Sequence, residues 1–262
     1  MLAAYAEAAR VLGREDYRQA AERNADFLLR ELRATDGRLC HVWYGGEASI
    51  QGLLEDYAYL IEGLIALYQT TFEVRWIAEA KELTDEMIAH FGASFENGGC
   101  IVGVYDSADD VEDLLVRPRE TQDNAVPSGN ATAATVLLKL ARLWGEGRYE
   151  DIAGRSLSAM QPPMAQHPLG FGQWLLALDS ALAVPVEVAI IGDITSKDSR
   201  ELVDAVQRPY APHRLLAAGS GSVPELLAHR EQVDGRATAY VCRNRVCQPP
   251  VTDPDRLREL LV

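Results

Sequence analysis

The sequence predicts a mainly α fold of helical hairpins followed by a small α/β appendage. Three observations point there. Two kinds of helical segment alternate through residues 1–184, one with a single apolar face and one apolar nearly all round. Short and long connections alternate between them. From residue 185 to 262 the pattern changes to short β-branched runs interleaved with capped helices.

LAAYAEAARVLG opens the chain as a peripheral helix, and DYRQAAERNADFLLREL follows as a two-faced one with Tyr17, Ala20, Asn24, Phe27 and Leu28 inward. LLEDYAYLIEGLIALY carries only Glu55, Asp56 and Glu62 as charges, so it is expected to be buried on most sides. EVRWIAEAKELTDEMIAHF places Trp76, Ala80, Leu83, Met87 and Phe91 on one face, with Glu79, Glu82, Asp85 and Glu86 opposite. NATAATVLLKLARLW, charged only at Lys139 and Arg142, is again a buried type. RYEDIAGRSLSAM is two-faced through Tyr149, Ile152, Ala153, Leu157 and Met160, and FGQWLLALDSAL, with the single charge Asp179, reads as a further buried helix. An aromatic starts each two-faced helix (Tyr17, Trp76, Tyr149), at separations of 59 and 73 residues. That recurrence favours a repeat of hairpins over an irregular bundle.

Buried segments pass to two-faced ones through short turns at Gly13, Gln69 and Gly145, whereas the return connections, 34–52, 92–127 and 161–170, are long. With antiparallel neighbours, all long loops gather on one mouth, beside the starts of the buried helices, where unpaired N–H groups suit oxygen-rich ligands. In the appendage, VEVAIIGD, RLLAAG and ATAYVCR read as strands, TSKDSRELVDAV as a capped helix, and Asp253 with Pro254 as the start of a last helix.

Composition narrows the function classes. A net charge of -14, from 39 acids against 25 bases, repels phosphate backbones, so nucleic acid is excluded as a partner. No apolar run reaches the ~20 residues of a membrane span. Glu7 and Arg10 interrupt the N-terminal stretch where a signal peptide would be apolar, so a cytoplasmic location is expected. Four cysteines (Cys40, Cys100, Cys242, Cys247) do not make a disulfide scaffold at this length.

Two polar clusters carry the candidate chemistry. In DNAVPSGNATAATVLL, Ser128 is a good N-cap after Pro127, but capping leaves Asp123 and Asn130 unexplained, and the same loop supplies Arg117, Arg119 and Glu120. In LLEDYAYL, Glu55 and Asp56 suit the helix dipole, and Asp56 shares a side with Tyr59 and Gly63, whose small size leaves room. Asp56 and Asp123 are therefore the candidate acid/base pair, with Glu120 as a substitute for the second acid. Trp43, Glu55, Arg117, Arg119, Ser128 and Asn130 are candidates for holding a hydroxylated substrate, Trp43 by stacking on a sugar face. Cys242 and Cys247 flank a two-residue turn at Asn244 and Arg245, close enough for a cross-strand disulfide or for two metal ligands. No histidine stands at zinc-ligand spacing, so a pair of reduced thiols is expected, with no metal. Phosphate-loop, dinucleotide and nucleophile-elbow motifs are absent, and no cofactor is expected.

Three segments, LLEDYAYLIEGLIALY, the R-x-R-x-x-x-D-x-A-x-PSGN run from Arg117 to Asn130, and the terminal CRNRVCQPPVTDP, give the chain a resemblance to the C-terminal part of the spermatogenesis-associated, thioredoxin-domain-containing protein family. The resemblance implies a partial (α/α) toroid of the six-hairpin glycosidase type, in a fragment that lacks the family's thioredoxin-like domain. It further implies carbohydrate-binding or carbohydrate-processing chemistry or, alternatively, a non-catalytic module serving a thioredoxin-like domain. An incomplete toroid exposes apolar edges that self-association would cover. One departure bears on chemistry: the related epimerases place histidines around the lumen, and the buried helices here contain none.

Overall fold

The computed structural model describes residues 1–92, 104–111, 114–244 and 246–261. The helical part comprises α1 (Leu2–Leu12), α2 (Glu15–Glu31), α3 (Leu54–Thr71), α4 (Val74–Phe91), α5 (Gly129–Trp144), α6 (Gly147–Gln166) and α7 (Gly172–Leu182). Helices α1, α3, α5 and α7 form one row in which each packs on the next, while α2, α4 and α6 lie against the row helices before them. The two sequence types map onto these positions. Along α5 every residue over 130–138 is buried, as its near-absence of charge requires. On α4, Trp76, Ala80, Leu83, Met87 and Phe91 are all buried, and on α6 so are Tyr149, Ala153, Leu157 and Met160. The outer helices are cross-linked by polar pairs: Asp85 of α4 accepts from the Tyr149 hydroxyl at 2.5 Å and from Arg148 at 2.6 Å.

Four expectations are corrected. Helix α2 is rotated by about one residue: Ala21 and Ala25 are fully buried, whereas Ala20 and Asn24 are only partly so. Edge-to-face packing of Tyr17 on Tyr5 of α1, 5.5 Å between centroids, accompanies that register. Helix α7 is not buried all round, because it ends the row; Leu176 is 62% and Leu182 77% exposed. The room expected beside Gly63 is filled by α1, since a Cβ at this position would lie 2.7 Å from Leu2 Cδ2. Finally, Cys242 and Cys247 are not reduced thiols but are joined by a disulfide.

Two-residue turns join α1 to α2, α3 to α4 and α5 to α6. Each begins in the left-handed region, at Gly13, Phe72 and Gly145. Phe72 tolerates that conformation while its ring packs edge-on against Tyr68. The longer connections lead into α3, α5 and α7, but a fifth correction applies to the last of them: α6 runs on through Pro162 and Pro163 to Gln166, so residues 167–171 alone, and not 161–170, connect it to α7. The first holds an unforeseen hairpin, β1 (Cys40–Tyr44) and β2 (Glu47–Gln51), which turns at Gly45 and Gly46 with positive φ at both. The second includes residues 93–103 and 112–113, outside the described residues, as is Cys100.

The appendage consists of β3 (Val186–Ile191), α8 (Lys197–Gln207), β4 (Arg214–Gly219), β5 (Thr238–Arg243), β6 (Val246–Cys247) and α9 (Pro254–Leu260). Its sheet has the order β4-β3-β5-β6. β3 and β4 are parallel across the α8 crossover, and the other pairs are antiparallel. Ser196 caps α8 and Asp253 caps α9 through their side chains. Of the turn expected at Asn244 and Arg245, only Asn244 falls among the described residues. The appendage meets the far ends of the row helices: Gln207 Nε2 donates to the Gln69 carbonyl at 2.7 Å, and Leu226 and Leu227 lie in a short turn that packs on α5. No described helix is long and apolar enough to cross a membrane.

Helices α3 and α5 approach closely at their starts, where a Cβ on Gly129 would lie 3.2 Å from the N, Cα and Cβ of Glu55. Gly129→Ala is expected to force the two starts apart and to destabilise the fold by about 1–3 kcal/mol, as overpacking does. Urea unfolding checks this: a midpoint equal to that of the unsubstituted chain would show that the contact carries no constraint.

Candidate functional site

Three helix starts, those of α3, α5 and α7, gather at the mouth with the long connections. The first turn of each presents N–H groups without intrahelical partners. Acids from the loops meet many of these donors. Asp56, in the first turn of α3, reaches back so that Oδ2 accepts from Leu53 N at 2.7 Å and from His41 Nδ1 at 2.8 Å. Asp123 Oδ1 accepts from Ser128 N and its Oδ2 from Gln173 N, both at 2.8 Å, so one carboxylate bridges the entrances of α5 and α7. Ser128 Oγ accepts from Ala131 N as the expected cap and donates to the Glu120 carbonyl.

Asp106 organises the segment between α3 and α5. Its carbonyl accepts from Leu54 N, and its N–H donates to the Pro118 carbonyl. Its carboxylate accepts from Asn130 Nδ2 at 3.0 Å and from Glu120 N. Asn130, buried at 2% exposure, uses both donors of its amide and its oxygen: Oδ1 accepts from Val104 N, while Nδ2 also donates to the Glu120 carbonyl. Arg117 donates to the carbonyls of His90 and Ser107 and lies 4.1 Å from the Tyr105 ring centroid, with Arg119 4.5 Å from the same centroid. Trp43 packs edge-on against Phe27 of α2, and is 41% exposed.

Apart from Trp43, which is placed by its contact with Phe27, the residues singled out by sequence are brought to one mouth, but they divide into two groups. Asp123, Ser128 and Arg117 spend their polar atoms on the main chain, and Asp56 and Asn130 divide theirs between the main chain and the side chains of His41 and Asp106. Glu55 does neither: among the described residues its carboxylate has no hydrogen-bond or ion-pair partner. It lines a cleft of about 210 Å³ together with Asp106, Glu120, Gln122, Val126 and Pro127. Arg119 keeps Nε and Nη2 buried with no acceptor among the described residues. One contributor, Asp106, goes unseen in the sequence, and a second, Tyr59, stands out there only as a neighbour of Asp56 on its helix. Burial pushes the Asp106 carboxyl above its ordinary range, opposed by the Glu120 N–H, the Arg119 charge and Asn130. Tyr59, whose hydroxyl donates to the Pro127 carbonyl, is likewise held up by burial, and then by the charges of Glu55, Asp123, Glu62 and Asp56. Asp106 lies in a stretch whose local pattern is unremarkable, and only the meeting of distant segments marks it.

At the opposite ends of the row helices a second cleft, of about 490 Å³, collects Arg10, Lys139, Arg142, Arg208, His213 and Arg214, with Glu7 as its one acid among the described residues. Arg142 donates to the Ser180 carbonyl and Arg214 to that of Val206, so these bases serve helix and loop ends. A group of His90, Asp109 and Asp110 has the spacing for a cation, but Arg38 already pairs with Asp110 through two hydrogen bonds.

No protein-family model matches the chain. Over its whole length it is similar to spermatogenesis-associated protein 20 of Homo sapiens, 31% identical across 277 aligned positions, and of Rattus norvegicus, 32% identical across 278. An uncharacterized protein of Caenorhabditis elegans is 25% identical over 93% of the chain. The chain spans about 35% of the length of the mammalian relatives. It is therefore a homologue of part of spermatogenesis-associated protein 20, consistent with the C-terminal part of that family.

Asp123→Ala leaves two helix-entrance N–H groups without their acceptor and is expected to cost about 1–3 kcal/mol in urea unfolding, with Asp123→Asn, which keeps one acceptor, falling between. An unchanged midpoint for the alanine variant would refute the bridging role. The raised pKa of Asp106 has the opposite pH signature from a salt-bridged acid. Its contribution is full below the ordinary value of 3.8 and is lost as pH rises through the folded value. The stability of the unsubstituted chain relative to Asp106→Asn should therefore fall as pH rises from the ordinary value of 3.8 through the raised folded value; a difference that grows with pH would reverse the assignment.

Proposed function

We propose that this homologue of part of spermatogenesis-associated protein 20 is a carbohydrate-binding or carbohydrate-processing module, whose site is the cleft between the starts of α3 and α5. The observation that carries the reading is the pairing of two unlike carboxyl groups there. Glu55 has no donor among the described residues, while Asp106 is held toward its protonated form by burial. An unpartnered carboxylate accepts hydrogen bonds from sugar hydroxyls. Beside it, a carboxyl that keeps its proton to higher pH is suited to donate it to a leaving oxygen. Together they supply the acid and the base that glycosidic-bond chemistry uses.

The cleft's size fits the reading. At about 210 Å³ it is smaller than the ~300–1,000 Å³ that enclose a drug-sized ligand, which suits one sugar ring or the end of a longer chain. Val126 and Pro127 give it an apolar wall, and Gln122 and Asn124 add neutral polar groups. Asp56 and Asp123, the acids that sequence spacing favours, act in this proposal as positioning residues. They fix the helix entrances that hold Glu55 and Ser128, while Asn130 and Arg119 set the hydrogen bonding and field around Asp106.

A second reading, a non-catalytic module that docks a thioredoxin-like domain or a second copy of the chain, is favoured by the exposed Leu175, Leu176 and Leu182 on α7. The two readings separate in one set of measurements. Calorimetric titration with a panel of monosaccharides and short oligosaccharides is expected to find a ligand whose affinity falls at least about tenfold, ~1.4 kcal/mol, in Glu55→Gln. Leu176→Asp should leave that affinity alone. Silence across the panel, combined with association with a purified thioredoxin-like domain or self-association that Leu176→Asp abolishes, would replace the first reading by the second.

A further inference from the structure

We propose that Cys242 and Cys247 form a thiol–disulfide exchange site served by Arg230. This inference concerns the appendage and does not rest on the carbohydrate reading. The β5–β6 hairpin sets the two cysteines opposite each other, and they are bonded. Their surroundings differ. Cys242 is buried at 1% exposure, whereas Cys247 is exposed. Arg230 Nη2 approaches both sulfurs, at 3.6 Å from Cys242 Sγ and 3.5 Å from Cys247 Sγ. Its Nη1 is fixed by the carbonyls of Leu226 and Ala228, and the guanidinium stands 5.8 Å from the centre of the Tyr240 ring. A fixed cation on a neutral disulfide does little, because bonded sulfur is a weak acceptor. The same cation beside a thiolate stabilises it strongly, and a stabilised thiolate is a better leaving group.

Both cysteines line a cleft of about 870 Å³, which gives an incoming thiol a path; Arg142, Glu150, Glu187 and Glu225 line it too, Glu187 standing opposite Cys242 across β3 and β5, so Arg230, in contact with both sulfurs, is the cation set against these acids. The reaction partner is a dithiol. One of its thiolates attacks the exposed Cys247 Sγ and forms a mixed disulfide. The Cys242–Cys247 bond breaks with its electron pair passing to Cys242 Sγ, which leaves as a thiolate beside Arg230. The second thiol of the partner loses its proton to solvent and attacks its own sulfur in the mixed disulfide, expelling Cys247 as a thiolate. Two electrons pass to the protein, the partner becomes a disulfide, and its two protons go to solvent or to the freed sulfurs according to pH. Run backward, the same steps oxidise a dithiol.

The test uses the whole chain with Cys40 and Cys100 replaced by serine, and dithiothreitol as the dithiol. Under native conditions the thiol count is expected to rise from none to two. Arg230→Met should slow reduction at least tenfold at neutral pH and raise the midpoint of the pH profile for alkylation of the freed thiols by iodoacetamide, and Arg230→Lys should restore most of the rate. A purely structural arginine would not move that profile. Sulfurs that react only in denaturant, or equal rates and profiles with and without Arg230, would overturn the proposal. Should Arg230→Met fail to fold, the unsubstituted chain decides: an alkylation midpoint at the ordinary thiol value of about 8.5 overturns it, and a clearly lower one supports it.

Discussion

The structure depends on how three helix entrances are satisfied where they crowd together. Each row helix begins with N–H groups that its own backbone cannot pair, and α3, α5 and α7 bring theirs to the same mouth. Asp56 closes back on Leu53, Asp106 ties Leu54 to the loop through its carbonyl, and Asp123 holds α5 and α7 with its two oxygens. Acid side chains fit this task because they accept without donating and because the N-terminal dipole ends favour negative charge. Once these residues are committed, the path of the long connection is set, and with it the position of Glu55 against Gly129 and of Asp106 beside Glu120. The candidate cleft is therefore a by-product of a solved packing problem, which accounts for its mixture of spent and unspent carboxylates.

Much of this was legible in the sequence where the signal is local. The absence of charge along α5 and the single stripe on α4 follow directly from burial, and Ser128 caps α5 as its residue type and position demand. The errors fall where a neighbour decides. FGQWLLALDSAL has the composition of an enclosed helix, yet α7 ends the row and leaves Leu176 in solvent. Gly63 reads as empty space, but Leu2 occupies it from 61 residues away. The site shows the same division. Asp56 and Asp123 stand out because one acid more than capping needs is present near each helix start. Whether such an acid faces a ligand or an N–H depends on partners such as Gln173, which no window around Asp123 contains. Asp106 gives no periodic signal at all, and its importance comes from the meeting of Leu54, Pro118, Glu120 and Asn130.

The cysteine pair adds a case in which spacing is readable and chemical state is not. A two-residue turn between Cys242 and Cys247 predicts opposition across a hairpin, and β5 and β6 provide it. Oxidation state depends on what surrounds the sulfurs, and Arg230 arrives there from the segment before β5, beyond the reach of a metal-ligand count. The appendage also covers the far ends of the row helices, so that Gln207 meets the last turn of α3.

The two ends of the row helices carry opposite fixed charge, carboxylates around the entrances and guanidinium and ammonium groups around the exits. Each set lies where it offsets the peptide dipoles of the helices themselves. The two clefts are thereby lined by charge of opposite sign within a chain whose net charge is -14. An ion approaching either cleft meets the field of that cleft's lining within about the Debye length, ~8 Å in physiological salt, so the two ends favour ions of opposite sign before any atom touches.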